Sequence, residues 1–225
     1  MQLFNNNQLK DKKMSEIHIL GPDFSTFLRS VRLYCEELGL SYTYGPDLNG
    51  KTIPLKSDEL AHFNPFKKVP VLFYDEHPIF ETTTICRFLD NISPTKKLLP
   101  KDPLAISLID QWSGALSLYI DNILIRQYFL EFAFPKGPNN TIRISIVEKL
   151  IPDVISALNL LERQLNNNTF FCGNSYSMAD AILTPMLDYV SQTPYAEQLF
   201  INAKNLLSYL TRMKERPSGK TVFSK

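Results

Sequence analysis

The chain has 225 residues, 44% hydrophobic and 21% charged, enough for two compact domains with cores of their own. A net charge of +1 gives no electrostatic case for nucleic acid or a membrane surface, and Lys67-Lys68 and Lys96-Lys97 are too short to form basic patches. Cys35, Cys86 and Cys172 lie far apart with no C-x-x-C, which argues against a disulfide scaffold and for a reducing, cytoplasmic setting.

Residues 1–13 are polar, with Asn5-Asn6-Asn7 and Lys12-Lys13, and read as a disordered tail or an extension; no secretory signal or membrane run is evident. Ile17-His18-Ile19-Leu20 reads as a strand and Gly21–Phe24 as a loop. Ser25 then caps a helix with Leu28, Val31, Tyr34, Cys35 and Leu38 on one face, closed by Gly39. Ser41–Tyr44 alternates as a second strand. Leu48–Ser57 lacks periodicity and reads as a loop before a helical turn near Asp58–Phe63. Val69–Tyr74 and Pro78–Phe80 form a hairpin, and Thr82–Ile92 is a helix. The order βαβαββα is that of a small α/β domain, over residues 14–93.

Pro94, Pro100 and Pro103 mark a linker, residues 94–103, and no convincing strand follows it in residues 104–225. Asp102–Phe132 carries apolar residues at intervals of three or four as one long helix. Thr141–Leu165 is helical again, with Pro152 predicting a kink or a boundary between two helices. Ser177 with Asp180 resembles a capping box, and a last helix runs over Ala203–Glu215 and stops before Pro217.

There is no nucleophile elbow, phosphate loop or dinucleotide fingerprint. His18, His62 and His77 lack metal-ligand spacing, so no metal is called for. A bound cosubstrate is favoured over a nucleophile of the chain's own. Val69-Pro70 at the head of a strand suggests a bent X-Pro bond that leaves the preceding backbone free to pair with something else. The helix opening at Glu81-Thr82 offers N–H groups and a positive dipole end to an anion. Together they suit an extended, peptide-like ligand with a carboxylate at one end. Ser25 reads equally well as a helix cap or as a hydroxyl that stabilises a bound thiolate.

Gly21-Pro22-Asp23-Phe24-Ser25, Cys35-Glu36-Glu37-Leu38-Gly39, Asn64-Pro65-Phe66, Val69-Pro70-Val71-Leu72 and Glu81-Thr82 resemble a cytosolic glutathione transferase. Phe171–Asp180 and Arg216-Pro217-Ser218 resemble that family's second half, so the likeness spans about residues 16–222. It implies a thioredoxin-like N-terminal domain, a helical-bundle C-terminal domain and glutathione as cosubstrate. The implied chemistry is conjugation of its thiolate to small electrophiles, a detoxification activity usually carried by a homodimer. Ser25 matches the catalytic serine of phi- and theta-type members, with Thr26 as the fallback hydroxyl. The resemblance makes Pro70 cis and has Val69 pair with the cysteinyl backbone. It has Glu81 and Thr82 take the γ-glutamyl end, and Lys56 the glycyl carboxylate. Leu55 stands where those members often carry histidine, and Lys67 where glycine is common. The same fold serves non-enzymes, stringent starvation proteins and elongation-factor gamma subunits among them, so an interaction module is the rival reading. A glutathione-dependent reductase of disulfides or peroxides is a third.

Overall fold

The computed structural model of the chain describes residues 16–224; the tail expected over residues 1–13 lies outside them. The first part runs β1 (Ile17–Leu20), α1 (Thr26–Leu38), β2 (Thr43–Gly45), β3 (Asp47–Leu48), β4 (Lys51–Thr52), α2 (Asp58–Ala61), β5 (Val71–Tyr74), β6 (His77–Phe80) and α3 (Thr82–Ile92). Four strands form a mixed sheet in the order β2-β1-β5-β6. β1 pairs parallel to β2 and antiparallel to β5, and β5 pairs antiparallel to β6. This is the expected thioredoxin-like arrangement. The stretch expected as a plain loop, residues 48–57, contains strand β4 of a two-residue-strand hairpin, with Asp47 opposite Thr52. Strands this short carry no alternation for the sequence to display.

Period-two alternation assigns the faces of the sheet. Ile17, Ile19 and Leu72 turn toward α1 and α3, whereas Leu20, Val71 and Phe73 join Ile53 and Leu60 in a smaller cluster beneath α2. On α1, Leu28, Val31, Tyr34 and Cys35 are all fully buried. Each large apolar side chain so buried contributes about 1.5–3 kcal/mol. Gly39 stops α1 in the left-handed conformation, with Leu40 N–H returning to the Cys35 carbonyl at 3.0 Å.

The second part is helical. Asp102 caps α4 (Pro103–Ala115) by accepting from the Ala105 N–H at 2.8 Å. The helix continues without a break through π-wound turns at Leu116–Ile120 and Asn122–Phe129 into α5 (Leu130–Ala133). The single helix expected over these residues is therefore present, but more than a third of it is wound wider than an α-helix. α6 (Ile144–Leu165) runs straight past Pro152. Pro152 and Glu148, whose carbonyl loses its partner, both lie on the exposed side, where solvent can reach that carbonyl.

α7 (Met178–Val190), α8 (Ala196–Leu199), α9 (Lys204–Glu215) and α10 (Pro217–Phe223) complete the chain. α10 was not expected. Pro217 does not end the helical region; it opens a new helix at the first position, where a proline's missing N–H costs nothing. α1 packs chiefly on α7, so one continuous core joins the two parts.

Candidate functional site

Strand register gathers the candidate residues. Leu20 pairs with Val71, and Val71 pairs with Phe80. One step beyond that row, at the same end of the sheet, the chain emerges as Gly21, Pro70 and Glu81. Leu20 also pairs with Gly45 of β2. The loop carrying Ser25, the Val69–Pro70 pair and the start of α3 therefore meet at one end of the sheet. Gly21 is the close contact that permits this: its φ is +148°, and a Cβ there would lie 3.0 Å from Leu28 Cδ1 and 3.1 Å from Val69 Cβ.

Ser25 caps α1, its Oγ accepting from the Leu28 N–H at 3.3 Å. That bond uses an oxygen lone pair. The hydroxyl proton finds no acceptor among the described residues, so capping and donation to a ligand are compatible. Ser25 is half-buried and Thr26, the first residue of α1, is buried. The Val69–Pro70 peptide is cis. Neither the N–H nor the carbonyl of Val69 bonds to another described residue.

Glu81 precedes α3 with φ 70° and ψ 117° and does not cap it; its carboxylate is exposed and unpaired among the described residues. The first amides of α3 thus lack a side-chain partner, and Thr82 is buried beside them. Lys56 has φ 61° and is exposed, and no hydrogen bond or ion pair ties it to another described residue. Lys67 also adopts a left-handed φ of 53°, which gives a physical reason for glycine being common there. Its ammonium meets Asp58 at 2.5 Å.

Several contributors carry no assigned role in the sequence reading, although Asn64 and Phe24 lie within its motifs. Asn64, buried, accepts from the Phe66 N–H at 3.0 Å and donates to the Lys68 carbonyl at 3.1 Å, shaping the turn into Val69. Tyr189 of α7 donates its hydroxyl to the Phe24 carbonyl at 2.6 Å, and Arg29 Nε donates to the Asp23 carbonyl at 2.9 Å. These two bonds fix the peptide units just before Ser25. Phe24 meets Phe134 edge-on at 5.9 Å. Arg126 from the π-wound stretch places its guanidinium 5.9 Å from the Phe27 ring. It bonds Asp121, whose carboxyl burial pushes up, partly offset by Arg126 and Lys68.

The cysteines contribute no reactive sulfur here. Cys35 and Cys86 are buried, and burial pushes the Cys172 thiol up to about 12. A cleft of about 560 Å³ lies at the other end of α1, against Glu37, Lys96 and Arg216, away from Ser25. Among the described residues no three His, Cys, Asp or Glu side chains converge as a metal site would require, and no helix is long and apolar enough to cross a membrane.

Comparison with known proteins bears on the family and the fold. Residues 24–92 match the glutathione S-transferase N-terminal domain and residues 126–221 its C-terminal domain. The chain belongs to the glutathione S-transferase family. It is similar to a probable glutathione S-transferase of Glycine max, 27% identical over 86% of this chain and 81% of the relative. It is also similar to elongation factor 1-gamma 3 of Oryza sativa subsp. japonica, 26% identical over 76% of this chain but only 43% of that longer protein. Glutathione S-transferase I of maize, solved with an atrazine glutathione conjugate, shares the fold with a TM-score of 0.77 at 20% identity, covering 92% of this chain and 96% of that one.

Proposed function

We propose that this chain is a glutathione transferase that conjugates the sulfur of glutathione to small electrophiles. The observation that carries the reading is the Ser25 hydroxyl. It stands at the N-terminus of a thirteen-residue helix with its proton accepted by no described residue, at the same end of the sheet as a Val69 backbone unpaired among the described residues. Glutathione lies along Val69-Pro70, its cysteinyl amide pairing with Val69 as a one-residue strand addition. The α3 N-terminus and Thr82 receive the γ-glutamyl carboxylate, and Glu81 its ammonium. Lys56 is assigned to the glycyl carboxylate.

A free thiol is only a few per cent thiolate at neutral pH. Lowering its pKa by about two units requires about 2.7 kcal/mol of preference for the anion. A charge-assisted bond from Ser25 together with the α1 N-terminus supplies energy of that order. The thiol proton passes to solvent. The sulfur lone pair forms the bond to carbon, and the leaving group departs with the electron pair of the bond that breaks. Thr26 is the fallback donor.

Ser25→Ala tests the assignment. We expect thiolate absorbance of the bound tripeptide near neutral pH to drop at least tenfold, while its affinity changes less than threefold. Equal absorbance in both proteins contradicts the role of Ser25.

The likeness to elongation factor 1-gamma favours a second reading, a binding module without turnover. Retention on a glutathione matrix without release of chloride from a chloronitroaromatic acceptor would favour it. We further propose that the chain works in the cytoplasm as a homodimer. The outward Leu104, Leu108, Leu118 and Tyr119 of the long helix and Phe66 of the Asn64 turn supply apolar surface for a second copy. Sedimentation at micromolar concentration reads this directly.

A further inference from the structure

The π-wound part of the long helix carries a charged pair that approaches the first turn of α1. Asp121 is the single residue between the two π-wound segments. Its carboxylate Oδ2 accepts from Arg126 Nε at 2.8 Å, five residues on. In an α-helix residues five apart point about 140° away from each other. Winding in which amides reach five residues back brings them onto one face. Such turns recur at functional positions, and here the widening has a definite product, the Asp121–Arg126 pair.

The two members differ in exposure. The Asp121 side chain is 6% exposed and that of Arg126 47%. Asp121 Oδ1 is buried with no partner among the described residues. Arg126 is held only at Nε; its two terminal nitrogens donate to no described residue. A guanidinium fixed at Nε by a buried carboxylate presents those nitrogens as a planar fork, the geometry that takes a carboxylate in two parallel bonds. The guanidinium stands 5.9 Å from the ring of Phe27, in the first turn of α1 and two residues after Ser25. Phe129, on the same π-wound segment, stacks on Tyr189 at 4.4 Å, and Tyr189 holds the Phe24 carbonyl. Lys68, next to Val69, is near enough for its charge to act on Asp121.

We propose that Arg126 is a specificity-determining residue that binds the carboxylate of an anionic electrophile, with Asp121 as the residue that positions it. The acceptor class is then an aromatic or unsaturated electrophile bearing a carboxylate. Its ring lies along Phe24 and Phe27, and its reactive carbon faces the glutathione sulfur. This rests on the transferase reading above.

Two matched product conjugates test it: S-(4-carboxy-2-nitrophenyl)glutathione and its neutral carboxamide, titrated calorimetrically into the full chain. We expect the carboxylate to bind about tenfold or more tightly than the carboxamide, as a charge-assisted bidentate contact implies. Arg126→Gln should erase that preference and leave carboxamide affinity unchanged. Asp121→Asn should reduce the preference and raise KM for 4-chloro-3-nitrobenzoate while kcat for the neutral amide acceptor holds. A purely structural role would lower both acceptors together. Equal affinity for the two conjugates, or a preference surviving in Arg126→Gln, overturns the inference. If chloride is also released from the benzoate and the benzamide at equal efficiency, the transferase reading stands without it. If neither conjugate binds, both fall.

Discussion

At the C-terminal end of α1, Glu37 accepts from Arg216 Nε and Nη2, each at 2.7 Å, and from the Ser218 hydroxyl at 2.6 Å, with Lys96 at 3.6 Å. At the N-terminal end of the same helix the Ser25 proton, the Val69 backbone, the Glu81 carboxylate and the terminal nitrogens of Arg126 bond to no described residue. One end is saturated and ties α10 to α1. The other keeps donors and acceptors in reserve at a surface. Buried polar groups are normally paired within the fold, because an unmade bond costs about 1–3 kcal/mol. The groups at one end of the sheet that are unpaired among the described residues, some of them half-buried, are those the proposed ligand would engage.

That contrast is sharpest where saturation is greatest. Asp180 accepts from the Phe171 N–H at 2.7 Å, from the Ser177 N–H and hydroxyl at 2.9 Å each and from the Tyr209 hydroxyl at 2.8 Å. Asp180→Ala strands four buried donors, and we expect a loss of about 4 kcal/mol or more in urea unfolding. A loss below about 1 kcal/mol would show that these bonds do not organise the second half of the molecule.

Glu37→Gln comes next, at about 3 kcal/mol, since Arg216 loses its charged partner. It carries a pH signature. Burial alone would raise the Glu37 carboxyl, but the Arg216 and Ser218 bonds outweigh it and hold the carboxyl below its ordinary range. The contribution is therefore complete above the unfolded value near about 4.3 and is lost as pH falls through the lower folded value. The stability gap between wild type and Glu37→Gln should narrow between about pH 5 and pH 3. A gap independent of pH would detach the titration from this carboxylate.

Local chemistry was readable along the chain and distant chemistry was not. β1, the Ser25 cap, the Gly39 stop, the Ser177–Asp180 pair and α3 each rest on signals a few residues apart, and they appear where those signals lie. The π-wound turns escaped notice because apolar spacing of three or four residues reads the same whether the helix widens or not. α10 escaped because a proline that ends one helix also begins another. Within the candidate site, Ser25, Val69-Pro70 and Glu81-Thr82 were visible as motifs. Tyr189, which fixes Phe24 from 165 residues away, carries no local signal at all. Asp121 reads as one more polar residue until the winding turns it toward Arg126.

Gly21→Ala sets a methyl group 3.0 Å from Leu28 and 3.1 Å from Val69 on a backbone with φ +148°. We expect a cost of about 1–3 kcal/mol. The Ser25 loop and Val69 should also move apart, so the loss of turnover exceeds the fraction unfolded. Turnover that simply follows the folded fraction would mean the spacing is not set by this glycine.

The smallest effect reverses the sign of the comparison. Glu81 sits at φ 70° and ψ 117°, a backbone region that costs a side chain dearly, and its own side chain makes no cap. Glycine removes that strain and is acceptable at a helix cap. Glu81→Gly should therefore stabilise the fold by about 0.5–1 kcal/mol while glutathione affinity falls several-fold, because the ligand ammonium loses its carboxylate. Stability gained and binding lost from one substitution would locate the strain at Glu81 in the ligand's service. If stability falls instead, the strained conformation is held by contacts within the fold, and the carboxylate's exposure at this end of the sheet is incidental.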